Sequence, residues 1–499
     1  MMQLFGTYDV VVVGGGASGC AAAIASARIG AKTILIERFG ILGGSMNVSG
    51  PPGWAFSHLW NDHGETIVAG IVEETHHRLE KEGHALPYPK PENRDYFNAY
   101  AFVDPDWWGL LVFEMLTEEK VELLMHSLAV DVLKEGDAVK GVIVENTSGR
   151  MAVMGKVIIE ATGEGDIAVR AGVPYTKIDR TKEEIDPPSI TFHMDGVDWD
   201  KVTAYVKDNL DEFVSDTHFG LKRSPAQEEI AKRSRERFMN CKSITDLVKE
   251  GTLGFITFPK FTRQALDAGE LPPYGVDLGF FFTPRDGGHI QPIFQHSAQV
   301  PDCDTNDIRE LSAGEAEARR QVAIALKAAR KYLPGFENAY FTRLTSYIRT
   351  REGRHMIGDY QMQSEDVAES RKFPDVIAKC AMPTQSGGPF HSAAHEGESM
   401  NIDPNRKRWS PKDGGSYDIP YRSLVPKNVE GMLITGKLMS CTEDFKRDLL
   451  PDNMVWGQAS GVAAAICVKK GITPRRLEED VSELQEILQK QGAVLFGTK

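Results

Sequence analysis

Apolar and polar positions alternate in blocks, and the first blocks are the most regular. Tyr8-Asp9 is followed by four valines, Val10 to Val13, the pattern of a strand buried on both faces. Gly14-Gly-Gly16-Ala17-Ser18-Gly19 then predicts a tight turn, and Cys20-Ala-Ala-Ala23 a helix of small residues. A second apolar run, Thr33 to Ile36, ends on Glu37. Strand, glycine turn, helix, strand and acid, in that order, make the layout of a dinucleotide-binding βαβ unit. Gly14 makes the turn, Gly16 lets the backbone approach a pyrophosphate, and Gly19 lets the helix lie on the sheet. Ala17 and Ser18 keep that approach close. The helix N-terminus offers N–H groups to phosphates, and Glu37 sits where it can accept hydrogen bonds from a ribose.

Three later segments extend the pattern. Lys156-Val-Ile-Ile-Glu-Ala161-Thr162-Gly163 reads as a buried strand ending in a turn. Gly431-Met-Leu-Ile-Thr-Gly436 is a shorter strand of the same kind, and Asn453 to Ala465 reads as a helix opened by small residues near Gly457. Helical periodicity also marks 226–240 and 312–333, the second stopped by Leu333-Pro334-Gly335. Gly163-Glu-Gly165-Asp-Ile-Ala168 repeats a G-x-G-x-x-A spacing, but Gly172-Val-Pro174 breaks any helix early, which argues against a second nucleotide site.

The Gly43-Gly44-Ser45 loop directly after the second strand, the Ala-Thr-Gly element and the C-terminal glycine segment together resemble the FAD-dependent oxidoreductase family. That family has the glutathione-reductase-like FAD fold and is related to fumarate reductase and heterodisulfide-reductase-type flavoproteins. Arg349-Thr-Arg351-Glu-Gly-Arg354 and Tyr417-Asp-Ile-Pro-Tyr421-Arg422 resemble further family blocks. The resemblance implies an α/β fold: a Rossmann-like FAD-binding domain assembled from discontinuous segments, with an inserted α+β substrate or cap domain. The expected FAD segments are 1–55, 101–175 and 421–499. Residues 56–100 extend the cap, and 176–420 form the substrate domain. It also implies FAD contacts at Arg38, Gly43, Gly44, Ser45, Val130, Ala161, Thr162, Gly163, Gly436, Gly457, Gly461 and Val462. A helix N-terminus near Gly457 would face the flavin pyrimidine edge and favour its reduced, anionic form.

The chain has 499 residues and is 41% hydrophobic, enough for two or three packed domains. A net charge of −14 disfavours nucleic acid or an anionic membrane as partner. No apolar run reaches the roughly 20 residues of a membrane span, and the first strand leaves no room for a signal peptide. The six cysteines form no C-x-x-C pair, so neither a redox dithiol nor a metal site is expected. A reduced, cytoplasmic protein fits these features.

If FAD does the redox step, the protein must place the substrate and move protons. His391, in a glycine-rich loop, is the first choice for the proton carrier. His395-Glu396 is no zinc-protease motif, because position 399 is serine. Arg351 offers either a carboxylate clamp or an ion pair with Glu352. Tyr360 offers a proton or a stacking ring, or is a core tyrosine. Arg447 falls near the pyrimidine edge or in a capping ion pair. His58, with Trp54 and Trp60, offers an aromatic pocket wall; Trp107 and Trp108 open a helix, and His76-His77 sit on a polar one. The expected reaction is hydride transfer between a small organic substrate and flavin N5, as a dehydrogenase or oxidase. A fumarate-reductase-like ene-reductase and an electron-relay subunit are the alternatives. An unidentified electron acceptor or donor completes the set of partners, with self-association as a further option.

Overall fold

The valine run lies inside a longer strand, β1 (Gln3–Val13), and the glycine turn feeds α1 (Ala17–Arg28). β2 (Thr33–Ile36), α2 (Ile71–Glu82) and α3 (Pro105–Glu118) follow. Next come β3 (Glu122–Leu124), β4 (Leu128–Glu135), β5 (Ala138–Asn146), β6 (Gly149–Glu160) and α4 (Asp166–Ala171). The computed structural model describes residues 2–499 except 50–58, 89–101, 181–186, 214–216, 219–220, 223–224, 272–277, 296, 386–407 and 446–449. A second sheet is built from β7 (Phe192–Asp195), β8 (Phe255–Ile256), β9 (Phe280–Arg285), β10 (His289–Phe294) and β11 (Tyr340–Leu344). A long helix, α5 (Ile308–Tyr332), packs on it. The chain returns through β12 (Met432–Ile434) to α6 (Leu450–Lys470).

In the first sheet β1 lies parallel between β2 and β6, with β3 beyond β2 and β12 parallel to the C-terminal end of β6. β4 and β5 form an antiparallel meander on the N-terminal half of β6. All the parallel strands point their C-terminal ends to one edge, where open α/β sheets bind ligands. The second sheet runs in the order β8-β9-β10-β7-β11 and is antiparallel throughout. Its apolar face (Ile190, Phe192, Met194, Phe294) packs with Val322 and Ala325 of α5.

α1 and α6 both pack on the first sheet and against each other, and the two helices meet backbone to backbone. A Cβ on Gly457 would overlap the Ser18 carbonyl oxygen, and one on Gly461 the Ala22 carbonyl oxygen. α6 begins at Leu450, so Gly457 lies well inside the helix. The expected helix N-terminus near Gly457 is therefore corrected to the 450 end.

Two buried cores run across the expected segments. Met362, Val376, Ile377, Tyr417 and Ile419 share one core with α1 and α6, as do Ile71, Val72 and Leu79 of α2. Leu86 and Phe102 share the other core with the second sheet, and Arg351, whose guanidinium donates to Pro187 O, ties together the two ends of the segment that carries that sheet. His76 is fully buried, not solvated. Its Nε2 lies 2.9 Å from Leu86 O, and burial pushes its pKa down to about 3. Among the described residues no helix is long and apolar enough to cross a membrane.

Candidate functional site

The glycine turn sits at the C-terminal edge of the parallel strands. Gly14 has φ +105°, and a Cβ there would lie 2.6 Å from Ala161 O, so only glycine brings the turn against the end of β6. Gly16 differs: a Cβ there would meet nothing nearer than Gly44 Cα, at 3.9 Å. Gly16 caps α1 without a side chain, and no acidic residue sits in the first helical turn. The N-terminus therefore faces an open cradle with its donors and its partial positive charge, the arrangement that holds phosphate. Gly43 N donates to Gly15 O (2.8 Å), and Gly43 pairs with Gly16, so the second glycine loop forms the other wall. Ser45 lies in the short 3-10 turn Gly44–Met46.

Glu37 directly follows β2 beneath this turn. One carboxylate oxygen accepts Gly15 N (2.6 Å) and the other Phe39 N (2.9 Å). Burial raises its pKa, and the two backbone donors work against that rise. An ionised carboxylate has about four acceptor sites, so Glu37 can fix the turn and still receive ribose hydroxyls. Replacing it by arginine is expected to cut the FAD retained after dialysis about tenfold or more, the scale of losing hydrogen bonds to a charged group. Flavin absorbance per polypeptide measures this; unchanged content would remove Glu37 from the site. Arg38 lies over the Phe39 ring (4.8 Å) and the Tyr347 ring (5.4 Å), and Phe39 stacks on Tyr347 at 5.5 Å. This stack joins the nucleotide sheet to the segment that follows β11.

At the end of β6, Glu160 is fully buried and accepts the N–H groups of Thr162, Ile167 and Ala168 at 2.9 to 3.0 Å. Burial raises its pKa. Its carboxylate fills the N-terminus of α4, the place a second nucleotide would need, so the repeated glycine spacing there is structural. Glu164 accepts Thr350 Oγ1 (2.5 Å) and Lys437 Nζ (3.1 Å), and Lys437 also reaches Thr350 Oγ1 (2.9 Å). This clasp ties the Thr162-Gly163 turn, the Gly436 turn and the cap together. Gly436 has φ +65°, and Ser18 Oγ lies 3.2 Å from Thr435 Oγ1.

Other expected site residues fall elsewhere. Gly457, Gly461 and Val462 are buried in α6, and the two glycines serve the contact with α1. Val130 is half-buried in β4, at a position the ladder with β5 skips. Arg351 is buried and donates to Pro187 O (3.0 Å) and Ser189 Oγ (3.2 Å), which makes it a tether within the cap. Glu352 faces His355 Nε2 at 3.2 Å. Tyr360 donates to Asp366 (3.0 Å) and accepts from Arg371 (3.3 Å), so its hydroxyl is spent on a local network beside the start of a short helix. His391, Arg447 and His58 lie outside the described residues.

The sequence reading missed the face of the cap sheet opposite its apolar core. Along β7 and its approach, Ser189, Thr191 and His193 alternate with Ile190, Phe192 and Met194, and all six are buried. On the neighbouring strands Gln291, Arg343 and Thr345 fall on the same face by register, Ile293 and Arg343 both pairing with His193. A polar sheet face ordinarily meets water. This one meets the nucleotide domain. Arg343 donates to Asn47 O (2.9 Å), and Ser346 N donates to Val48 O (2.7 Å), both in the loop just after Gly43-Gly44. His193 lies 3.1 Å from Gln291 Oε1, and burial, then the Arg343 charge, pushes its pKa down to about 3, so it is neutral.

A parallel sheet with a glycine cradle at its C-terminal edge, faced by the buried polar side of a second sheet, defines a nucleotide-cofactor enzyme with a substrate cap. Residues 9–488 match the family described as FAD dependent oxidoreductase, and the chain belongs to that family. It is an enzyme, and FAD is its cofactor. A 63-residue stretch is 50% identical to the dihydrolipoyl dehydrogenase of Trypanosoma brucei brucei, covering 12% of this chain and 13% of that enzyme. Among solved structures, the myxobacterial chondrochloren halogenase CndH is 12% identical over 97% of this chain and 80% of its own, with a TM-score of 0.45. The p-nitrophenol 4-monooxygenase PnpA of Pseudomonas putida is 11% identical over 97% and 86%, also at 0.45. Scores this low say nothing about the reaction.

Proposed function

We propose that the protein oxidises a small organic substrate by hydride transfer to FAD, as a dehydrogenase or oxidase, between the glycine cradle and the cap sheet. The observation that carries this reading is the buried polar face around Thr191 and His193, turned onto the loop after Gly43-Gly44. FAD, when bound, supplies a two-electron acceptor. The N-terminus of α1 and the Gly14–Gly16 and Gly43–Gly44 backbones hold its pyrophosphate, and Glu37 holds the ribose. The cap face orients the substrate and keeps bulk water out.

Dehydrogenation by hydride loss also releases a proton, from the heteroatom of an alcohol or amine or from the adjacent carbon of an acid. A histidine held neutral down to about pH 3 is a poor base, so His193 serves as a positioning group. We assign the proton to His391. Anaerobic titration of the holoenzyme with candidate alcohols, amines and acids tests the reading by bleaching of flavin absorbance at about 450 nm. His391→Ala should slow that bleaching about a hundredfold or more, within the range of general-base catalysis, with FAD still bound. Bleaching only by added reductants, with a reduced substrate appearing afterwards, would replace this reading with an ene-reductase. A wild-type rate in His391→Ala would remove that residue from the mechanism.

A further inference from the structure

His193 of β7 and Arg343 of β11 are paired directly across the cap sheet, so their side chains leave the same face as neighbours. Phe192, the alternate position on β7, belongs to the cap core, which turns His193 and Arg343 toward the nucleotide domain. Arg343 Nη2 reaches that domain at Asn47 O (2.9 Å), in the loop after Gly43-Gly44.

The bonds already made define the atoms left over. Gln291 Nε2 donates to Thr342 Oγ1 (3.0 Å), so its Oε1 accepts from His193 Nδ1 (3.1 Å). Burial, then the Arg343 charge, keeps the imidazole neutral. With its proton on Nδ1, the ring presents Nε2 as a bare acceptor, and no group among the described residues donates to it. Arg343 commits Nη2 to Asn47 O and to Asp106 Oδ1, each at 2.9 Å. Its Nε and Nη1 take no partner among the described residues, and its side chain is 22% exposed, so a ligand can reach it. Asp106 also pairs with Arg285 (3.0 Å) and divides its charge between the two arginines. The remaining N–H groups of Arg343 therefore still favour an anion.

Charged donors beside a bare acceptor select a particular ligand. A plain carboxylic acid pairs with Arg343 and leaves Nε2 unmatched. A plain alcohol or amine pairs with Nε2 and leaves the guanidinium unmatched. A 2-hydroxy or 2-amino acid satisfies both: its carboxylate accepts from Arg343, and its hydroxyl or ammonium group donates to His193 Nε2.

We propose that Arg343 and His193 form a recognition subsite for a 2-hydroxy or 2-amino acid, Arg343 holding the carboxylate and His193 the 2-substituent. The assignment rests on the reading that the substrate lies between the glycine cradle and the cap sheet. It concerns binding, not the redox step.

The test titrates the purified holoenzyme with racemic lactate, mandelate and alanine. Propionate and phenylacetate serve as analogues without the 2-substituent, and the three methyl esters as analogues without the carboxylate. Perturbation of the flavin absorbance band and the shift in melting temperature are read together. At least one of the three acids is expected to bind, with both of its analogues at least about tenfold weaker. Lactate or mandelate against alanine tells hydroxy from amino acids. Arg343→Met should remove the preference for acid over ester, and His193→Leu the preference for the 2-substituted acid, both with FAD retained. Either variant carries the test if the other does not fold. No binding by any of the three acids, equal binding of the analogues, or unchanged preferences in the variants would overturn the proposal. Residues that only join the two domains would weaken all ligands alike and so give the last of these results. Binding of an acid without flavin bleaching by any compound would instead count against the dehydrogenase reading and leave the subsite standing. Bleaching by another class of compound, with the three acids failing to bind, would keep that reading and overturn the subsite.

Discussion

Gly461→Val is expected to yield no stable holoprotein. A Cβ at this position would fall inside the Ala22 carbonyl oxygen and lie 2.8 Å from the Ala22 carbon and 2.9 Å from its Cα. All three atoms are backbone of α1, so no side-chain rotation relieves the clash. Either α6 lifts away from α1 or α1 moves off the sheet. Overpacking of a tight core costs typically 1–3 kcal/mol, and more where backbones must part. A natural domain has only about 5–15 kcal/mol to lose. The damage extends to the cofactor, because α1 also presents the N-terminus at Gly16. Soluble yield, circular dichroism and FAD per polypeptide should all collapse together. Lys469→Val, exposed on the same helix, serves as the control for the lower helix propensity of valine, a cost below about 1 kcal/mol. Wild-type yield and FAD content in Gly461→Val would mean that the two helices do not meet here.

The case of Gly461 shows where sequence patterns stop. Val10–Val13, the glycine turn and Glu37 were legible because their geometry is local: turn, helix N-terminus and acid are fixed within one βαβ unit. Small residues in α6 carry an ambiguous message. A glycine that lets a cofactor approach and a glycine that lets another helix approach look alike until the neighbour is known, and here the neighbour is Ser18 or Ala22. Glu160 reads as the polar end of a strand. Its role appears only once residues 167 and 168 fold back over it. The cap sheet was hidden for a different reason. Polar Ser189, Thr191 and His193 at every second position predict a half-exposed strand, and only the second domain laid against them makes them buried. The packing of residues 362–419 was hidden in the same way. Residues such as Met362 and Tyr417 are apolar in either assignment, and long-range packing on α1 and α6 decides between them.

Gly16→Ala and Gly16→Val are expected to fold normally and bind FAD progressively more weakly. Gly16 has φ −72° and ψ 178°, a conformation open to any L-residue. A Cβ there would find only Gly44 Cα, at 3.9 Å, an ordinary contact. Folding therefore tolerates the added methyl, apart from the modest loss of a good N-cap residue, about 1 kcal/mol. The space the methyl enters lies between the N-terminus of α1 and the Gly43-Gly44 wall, the cradle assigned to the pyrophosphate. Crowding there by about 1–3 kcal/mol corresponds to roughly 5- to 150-fold in dissociation constant, with alanine near the low end and valine near the high end. Apoprotein stripped of flavin should show the wild-type circular dichroism in all three forms, with melting temperatures within about 2–4 °C of one another. Added FAD should stabilise the wild type more than alanine, and alanine more than valine, because ligand stabilisation scales with the logarithm of affinity. Quenching of FAD fluorescence on titration gives the constants directly. Equal affinities across the series would move the phosphate site away from Gly16, whereas a valine variant that fails to fold even as apoprotein would show that the cradle is closed by protein atoms rather than by cofactor.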